Sequence, residues 1–457
     1  MKWWLFSKQK EYNDNSFSYL AVFILYIVVV VICIGIRAVT WPGNKHVDID
    51  FLIDAVLMPT IILTTVVQFF CMIANGLRHY TETRLLIAAR QEYNVVSYAR
   101  GYITLAGWSV LTPTADLALN MLKLEGEFPL APKMPLKIDL AESFDLTRNG
   151  QAFSRLIAPL VDKLKSPQYK GFEAAVWING GDESCCDELQ RVFESFAITG
   201  IKMTYLPECP DYTQLTEWIT QAKNDVFNRL LICIDLHPEE EESKRMENAT
   251  AFFFTNSYVK TEGEKPVYLY QPMTGVTDVE NNLPVYLRTE PVSKPKILWY
   301  TGLSRTEKYP LLEVLDEKKM VPERLELETS FGERSAGYRW LALAMASDAV
   351  RYAQGDQMVV ASEHNKCAIT ALSSRLTHQP DYPQGKIYPL PWSAGGIAGL
   401  MLFFSLAIGF SCFGDEKMVT GGFIVFLFFI CLAPFLVIGG FFTWFFGEKA
   451  HEHMWGE

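Results

Sequence analysis

Four uncharged apolar runs, at 19–36, 55–77, 392–413 and 418–446, constrain this chain more than any other feature. Each is about as long as the ~20 helical residues needed to cross a ~30 Å hydrocarbon core at ~1.5 Å per residue. The first closes on Arg37 and then Trp41-Pro42-Gly43, an interfacial aromatic followed by a helix stop. Asp54 marks the edge of the second, while Pro59 and Pro434 fall inside spans, where neighbouring helices can satisfy a freed backbone carbonyl. Uncharged runs of this length are rare in the cores of soluble domains, so four transmembrane helices are predicted, two at each end. The run at 19–36 lacks a small-residue cleavage site and follows a polar leader, which speaks against a signal peptide.

Basic residues resist translocation, so their placement orients the spans. Lys2, Lys8 and Lys10 precede the first span, and Arg78, Arg84, Arg90 and Arg100 follow the second. The short loops 37–54 and 414–417 are left outside, and Lys449 keeps the C-terminus inside. The predicted organisation is a cytoplasmic leader (1–18), two spans (19–80), a cytoplasmic soluble section (81–390), two further spans (391–447) and a cytoplasmic tail (448–457). A mean hydropathy of +0.09 averages over that segregation. The net charge of -11 argues against nucleic-acid binding, because a phosphate backbone demands a basic surface.

Nine cysteines imply no disulfide framework. Cys33, Cys71, Cys412 and Cys431 lie in spans, and Cys185, Cys186, Cys209, Cys233 and Cys367 in the soluble section. Neighbouring Cys185 and Cys186 have no CxxC pair or histidine cluster beside them, so free thiols are expected, with no metal and no cofactor. His237 and His364 stand alone, and the acidic run 239–242 after Pro238 reads as a solvated helix start. No GxSxG, GxxxxGK[ST] or HExxH motif occurs.

Short apolar runs alternate with longer amphipathic patterns through the soluble section, the mark of an α/β fold. Strands are predicted at 102–105, 173–178, 230–234, 267–270, 296–300, 357–361 and 367–372, and helices at 154–164, 184–196, 213–224 and 337–354.

In order, these pieces resemble the thiolase-like superfamily and, within it, the β-ketoacyl synthases. The stretch Tyr102-Ile103-Thr104-Leu105-Ala106-Gly107-Trp108-Ser109-Val110-Leu111-Thr112-Pro113 is similar to the synthases' opening strand and turn. Lys296-Ile297-Leu298-Trp299-Tyr300-Thr301-Gly302-Leu303-Ser304 stands where the family has the strand leading into HGTGT. Thr329-Ser330-Phe331-Gly332-Glu333-Arg334-Ser335-Ala336-Gly337, followed by an Ala-rich helix, resembles SNIGHxxxAAG. The resemblance implies a layered α/β domain, with the strands holding Ile103, Val176, Ile232, Leu298 and Val359 in two stacked central sheets.

The resemblance also implies what is missing. A condensing enzyme needs a thiolate at a helix N-terminus and two histidines that stabilise the oxyanion and assist decarboxylation. Those histidine positions fall on Thr301 and Glu333, and the nucleophile position falls near Cys209, followed by Pro210 instead of a small hydroxyl residue. The expectation is therefore a non-catalytic pseudoenzyme, with a buried carboxylate at 333. A degenerate thiolase-like domain between membrane spans resembles in plan the type VI lipase adaptor family of bacterial inner membranes. That likeness implies an adaptor or chaperone that binds a secreted lipase toxin or a secretion-tip protein, and pairing into a homodimer. Two alternatives stay open: an immunity protein that protects the membrane from a toxin, and a membrane-bound acyltransferase using Cys209.

Overall fold

The computed structural model describes residues 3–11, 18–43, 46–130, 136–140, 146–238, 244–258, 265–363, 366–413 and 420–456. The acidic run 239–242, His364 and the loop 414–417 lie outside the described residues. The chain opens on α1 (Tyr19–Thr40), α2 (Ile49–Leu52), a π-helical turn (Ile53–Leu57) and α3 (Met58–Ala99). Next come β1 (Tyr102–Leu111), α4 (Leu117–Met121), α5 (Arg148–Ile157) and α6 (Val161–Leu164). β2 (Glu173–Ile178), α7 (Cys185–Ser195), β3 (Lys202–Tyr205), α8 (Tyr212–Gln221), β4 (Asn228–Asp235) and β5 (Asn248–Thr255) complete one half of the sheet. β6 (Val267–Tyr270), β7 (Met273–Val276), α9 (Val279–Arg288), β8 (Ile297–Thr301) and α10 (Arg305–Glu317) begin the other. It ends with β9 (Glu323–Glu326), α11 (Leu327–Phe331), α12 (Tyr338–Arg351), β10 (Gln357–Glu363) and β11 (Lys366–Ser373), before α13 (Pro391–Phe413) and α14 (Gly421–Trp455). Contacts divide the chain into a sheet unit centred on Asn94–Pro380 and a helical unit of Leu5–Tyr93 and Asp381–Glu457.

The sheet is a duplication. Its first half runs β3-β2-β4-β5-β1, with β2 parallel to β3 and β4, and β5 antiparallel to both β4 and β1. The second half runs β9-β8-β10-β11-β6 with the same directions: β8 is parallel to β9 and β10, and β11 is antiparallel to β10 and β6. In each half, helices carry the chain between the parallel strands and a hairpin-like return closes the set. β1 and β6 pair antiparallel and join the halves, so the strands of Ile103, Val176, Ile232, Leu298 and Val359 share one hydrogen-bonded mixed sheet. Two separate sheets were expected; the β1–β6 pair, which apolar periodicity does not report, is what makes them continuous.

Side chains alternate across a strand, so each half has an inner and an outer face. Leu231 and Cys233 of β4 and Phe252 and Phe254 of β5 enter a central core with α8 and α12, which also takes Trp299 and Val359 from the second half. Their neighbours Leu230, Ile232, Ile234, Ala251 and Phe253 face the opposite way, onto Phe153 and Leu156 of α5 and Leu189 and Phe193 of α7. Nearly every residue of α12 is buried, from Tyr338 to Val350, as expected of a helix apolar almost all round. The charged exceptions within that stretch, Arg339 and Asp348, are informative for that reason. Asp348 accepts the Trp108 indole N–H at 2.9 Å, which ties the opening element of the sheet unit to the far end of α12.

Among the described residues, four helices are long and apolar enough to cross a membrane: Leu20–Thr40, Ile49–Ala99, Pro391–Ser411 and Gly421–Trp455. The second and fourth continue as helix well past their uncharged runs, because no proline stops them there. α13 and α14 pack closely through glycines. A Cβ at Gly439 would meet Trp392 Cα at 2.6 Å, and one at Gly399 would meet Leu432 Cα at 2.9 Å. Small residues that let helix backbones approach are how helices associate where lipid removes the hydrophobic drive.

Candidate functional site

β3 leads through residues 206–211 into α8, and β9 leads through α11 and residues 332–337 into α12. These helices are equivalent under the duplication, and their N-terminal ends meet. The Tyr212 hydroxyl donates to the Arg339 carbonyl at 2.7 Å, and the Trp340 indole N–H donates to the Pro210 carbonyl at 2.9 Å. Asp211 caps α8 by accepting the Thr213 N–H at 2.8 Å. Two residues before α8's first turn reaches that cap, half-buried Cys209 directs its thiol to the Ala336 carbonyl at 3.4 Å.

Around this junction lies a cavity of about 830 Å³, with Trp177, Cys209, Tyr212, Ala336, Arg339 and Lys366 in its wall. Arg339 is buried, and its guanidinium approaches the Pro210 carbonyl at 3.4 Å. Cys233, on β4, is a free thiol that shares a hydrogen bond with the Cys209 thiol. Burial, with that bond second, pushes the Cys233 thiol well above its ordinary range. Asp235, two residues on, accepts from Ser335 and from the Asn179 amide at 2.9 Å. Burial raises its pKa although Arg245 lies 3.6 Å away. Gly337 is required here, since a Cβ would meet Asp235 Oδ2 at 2.9 Å and push α12 off the sheet.

Of the three positions read from the sequence, the cavity wall includes Cys209 but neither Thr301 nor Glu333. Thr301, at the end of β8, is buried and donates to Glu328 Oε1 at 2.7 Å; the same oxygen accepts the Gly302 N–H at 2.6 Å. Glu333 is exposed and lies 3.9 Å from the Lys244 ammonium, because an antiparallel bridge between Arg245 and Gly332 draws its loop to the surface. A buried carboxylate at 333 is therefore not what the chain builds.

His237 is held structurally: its N–H donates to Glu247 at 2.9 Å and its ring contacts the Arg245 carbonyl at 3.2 Å. The Cys185 and Cys186 thiols are both raised, chiefly by burial, which disfavours the reactive thiolate. Among the described residues, no three His, Cys, Asp or Glu side chains converge as a metal-ligand set. Arg339 and Cys233 were not singled out from the sequence. The one usable signal was a lone arginine inside the apolar stretch that becomes α12.

No protein-family model and no curated protein matches the chain. Among solved structures, it is similar to a type II polyketide ketosynthase in complex with its acyl-carrier protein, at 11% identity and a TM-score of 0.42, over 60% of this chain and 99% of that one. It is also similar to 3-oxoacyl-[acyl-carrier-protein] synthase III from Aquifex aeolicus, at 11% identity and a TM-score of 0.36, over 59% and 99%. The acyltransferase ChlB3 is similar at 10% identity and a TM-score of 0.37, over 60% and 97%. The expectation that this chain is not an enzyme is corrected by this finding, since the solved structures it is similar to are condensing enzymes and acyltransferases. That expectation rested on two absent histidines, whereas the thiol in the cavity wall is present. The chain thus joins a duplicated mixed α/β sheet, similar to thiolase-like enzymes, to helices long and apolar enough to cross a membrane.

Proposed function

We propose that the sheet unit is an acyl-transfer module of a bacterial inner-membrane protein, with Cys209 as its nucleophile and a thioester as its donor. One observation carries the reading: Cys209 lies in the wall of a large cavity, where the N-terminal ends of the two equivalent helices α8 and α12 meet. In the exchange, Sγ bonds the acyl carbon, the donor's C–S bond breaks, and the Cys209 proton leaves with the donor's sulfur. No histidine lines the cavity among its described residues. Transfer between two sulfurs asks little of a proton carrier, whereas decarboxylative condensation asks for the imidazoles that Thr301 and Glu333 do not supply.

The test uses the full chain. Purified in detergent and given an acyl-coenzyme A thioester, it is expected to gain one acyl mass on the Cys209 peptide, with labelling at least ~100-fold lower in Cys209→Ala, as loss of a nucleophile implies. Equal acylation in that variant would remove the proposal. In membrane vesicles, an impermeant maleimide is expected to reach Cys209 only when the cytoplasmic face is outward, in keeping with the basic flanks of the spans. Labelling from the opposite face would overturn the cytoplasmic placement.

The pairing of the sheet unit with flanking apolar helices also supports a binding role toward an exported partner, in the manner of type VI lipase adaptors. Copurification of a lipase or secretion-tip protein with the full chain, at one-to-one stoichiometry, is the expected result. Protection from a toxin by the apolar helices alone, with the sheet unit deleted, would favour an immunity role instead.

A further inference from the structure

A second cleft of about 340 Å³ opens beside β1, with Gly107, Trp108, Lys163, Lys265 and Arg351 in its wall. It is separate from the Cys209 cavity. Arg351 ends α12, whose opposite end carries Arg339, so ~18 Å of helix at ~1.5 Å per residue lies between them. Three cationic side chains reach this cleft from three parts of the chain, and among the described residues no Asp or Glu lines it, although Asp348 is near enough to Arg351 to interact with it. That is an uneven distribution for a protein of net charge -11.

The cations are placed, not scattered. Lys163 is half-buried and its ammonium donates to the Ala106 carbonyl at 2.5 Å. Its stem can lie across β1 only because residue 107 is glycine: a Cβ there would meet Leu160 at 2.9 Å and the Lys163 stem at 3.2 Å. The register of β1 against β5 shifts between Leu105 and Gly107, a bulge that re-aims the backbone at this point. At the mouth, the Arg351 guanidinium lies over the Trp108 ring, 5.8 Å from its centroid, while the Trp108 indole N–H is engaged by Asp348. The ring therefore holds a fixed position and the guanidinium a preferred plane. Like charges gathered in one recess repel, and a bound anion relieves that repulsion.

We infer that this cleft binds a small phosphorylated molecule, with its phosphate oxygens on Lys163, Lys265 and Arg351 and its remaining part beside Trp108. Arginine's fork and lysine's point charge are the groups that recognise phosphate, and the volume lies at the small end of ligand sites, too small for a polymer. The phosphate could come from a soluble phosphoester or a lipid headgroup, which the experiment separates.

The full chain in zwitterionic detergent is titrated calorimetrically with inorganic pyrophosphate, and in a second arm reconstituted in phosphatidylcholine nanodiscs with or without phosphatidic acid. Saturable one-to-one binding is expected, weakened about tenfold in Lys265→Ala and in Arg351→Ala, as loss of one charge-assisted contact implies. Both positions are exposed, so neither variant threatens folding, and acylation of Cys209 is expected to be unchanged in each. Competition of pyrophosphate by phosphatidic acid nanodiscs would assign the lipid source, and its absence the soluble one. No saturation by 10 mM pyrophosphate, a concentration about a hundredfold above ordinary ligand affinities, would overturn the inference. So would wild-type affinity in the Lys265→Ala, Arg351→Ala double variant.

Discussion

Replacing Glu247 by alanine is expected to cost the sheet unit about 3–5 kcal/mol, the range for removing one partner of a buried ion pair. Glu247 is fully buried and its carboxylate is saturated. Oε1 accepts the His237 N–H at 2.9 Å and Oε2 accepts the Ile138 N–H at 2.7 Å, while Arg148 reaches both oxygens at 2.7–2.8 Å. Arg148 also donates to the His237 carbonyl at 2.7 Å. One carboxylate thus ties the end of β4, the first residue of α5 and the segment around Ile138 to the start of β5. Its loss leaves a half-buried guanidinium and two buried backbone donors without that partner. Cys233 is fully buried in the central core, so its alkylation rate in the full chain, read peptide by peptide, reports opening of that core. A rise of about 10² to 4 × 10³-fold in Glu247→Ala is expected, as each 1.4 kcal/mol is a factor of ten. Glu247→Gln is expected to fall between, because its NH₂ must face one of the donors. An unchanged rate in both variants would show that the network contributes nothing to holding the core closed.

Trp340→Ala is expected to cost about 3–5 kcal/mol as well, from the cavity left by a large buried ring, and to impair acylation of Cys209. Trp340 is fully buried on α12, edge-on to Tyr212 with centroids 5.7 Å apart, and tilted against Phe252 at the same distance. Its N–H bond to Pro210 fixes the backbone of the residue next to Cys209. Trp340→Phe keeps most of the ring but leaves that carbonyl without its indole partner, at a stability cost of about 1–3 kcal/mol. If the thiol is positioned through this contact, the phenylalanine variant remains folded by the Cys233 criterion yet acylates Cys209 about tenfold more slowly, the effect of a 1.4 kcal/mol loss in transition-state stabilisation. Wild-type acylation in a folded Trp340→Phe would show that the contact is structural and does not position the nucleophile.

Helices of spanning length were legible in the sequence because an uncharged run of ~20 residues has few other uses. The α/β class was legible too, since continuous apolar runs such as 230–234 and 357–361 become β4 and β10. β5 was not. Its Phe252-Phe253-Phe254 run carries no alternation, because both faces of that strand are buried, one against α8 and α12 and the other against α5 and α7. β3 and β9, four residues each, are too short to show a period. α5 begins at Arg148, several residues before its predicted start, because the Thr147 cap on the Gly150 N–H outweighs the weak local pattern.

By itself, the sequence determined what depends on neighbours along the chain: four apolar helices, the alternation of strands and helices, and a thiol placed shortly before a helix. Only the tertiary structure decided what that thiol meets. Cys209 and Ala336 are 127 residues apart, and they touch because the N-terminal ends of α8 and α12 meet, although β3 and β9, which lead into them, stand at opposite ends of the strand order. The same packing sent Glu333 to the surface, turned Thr301 toward Glu328, and put Arg339 and Cys233 beside Cys209. Local periodicity records which face of an element is buried, whereas the pairing of β1 with β6 and the meeting of α8 with α12 are set by which buried faces fit each other across the whole core.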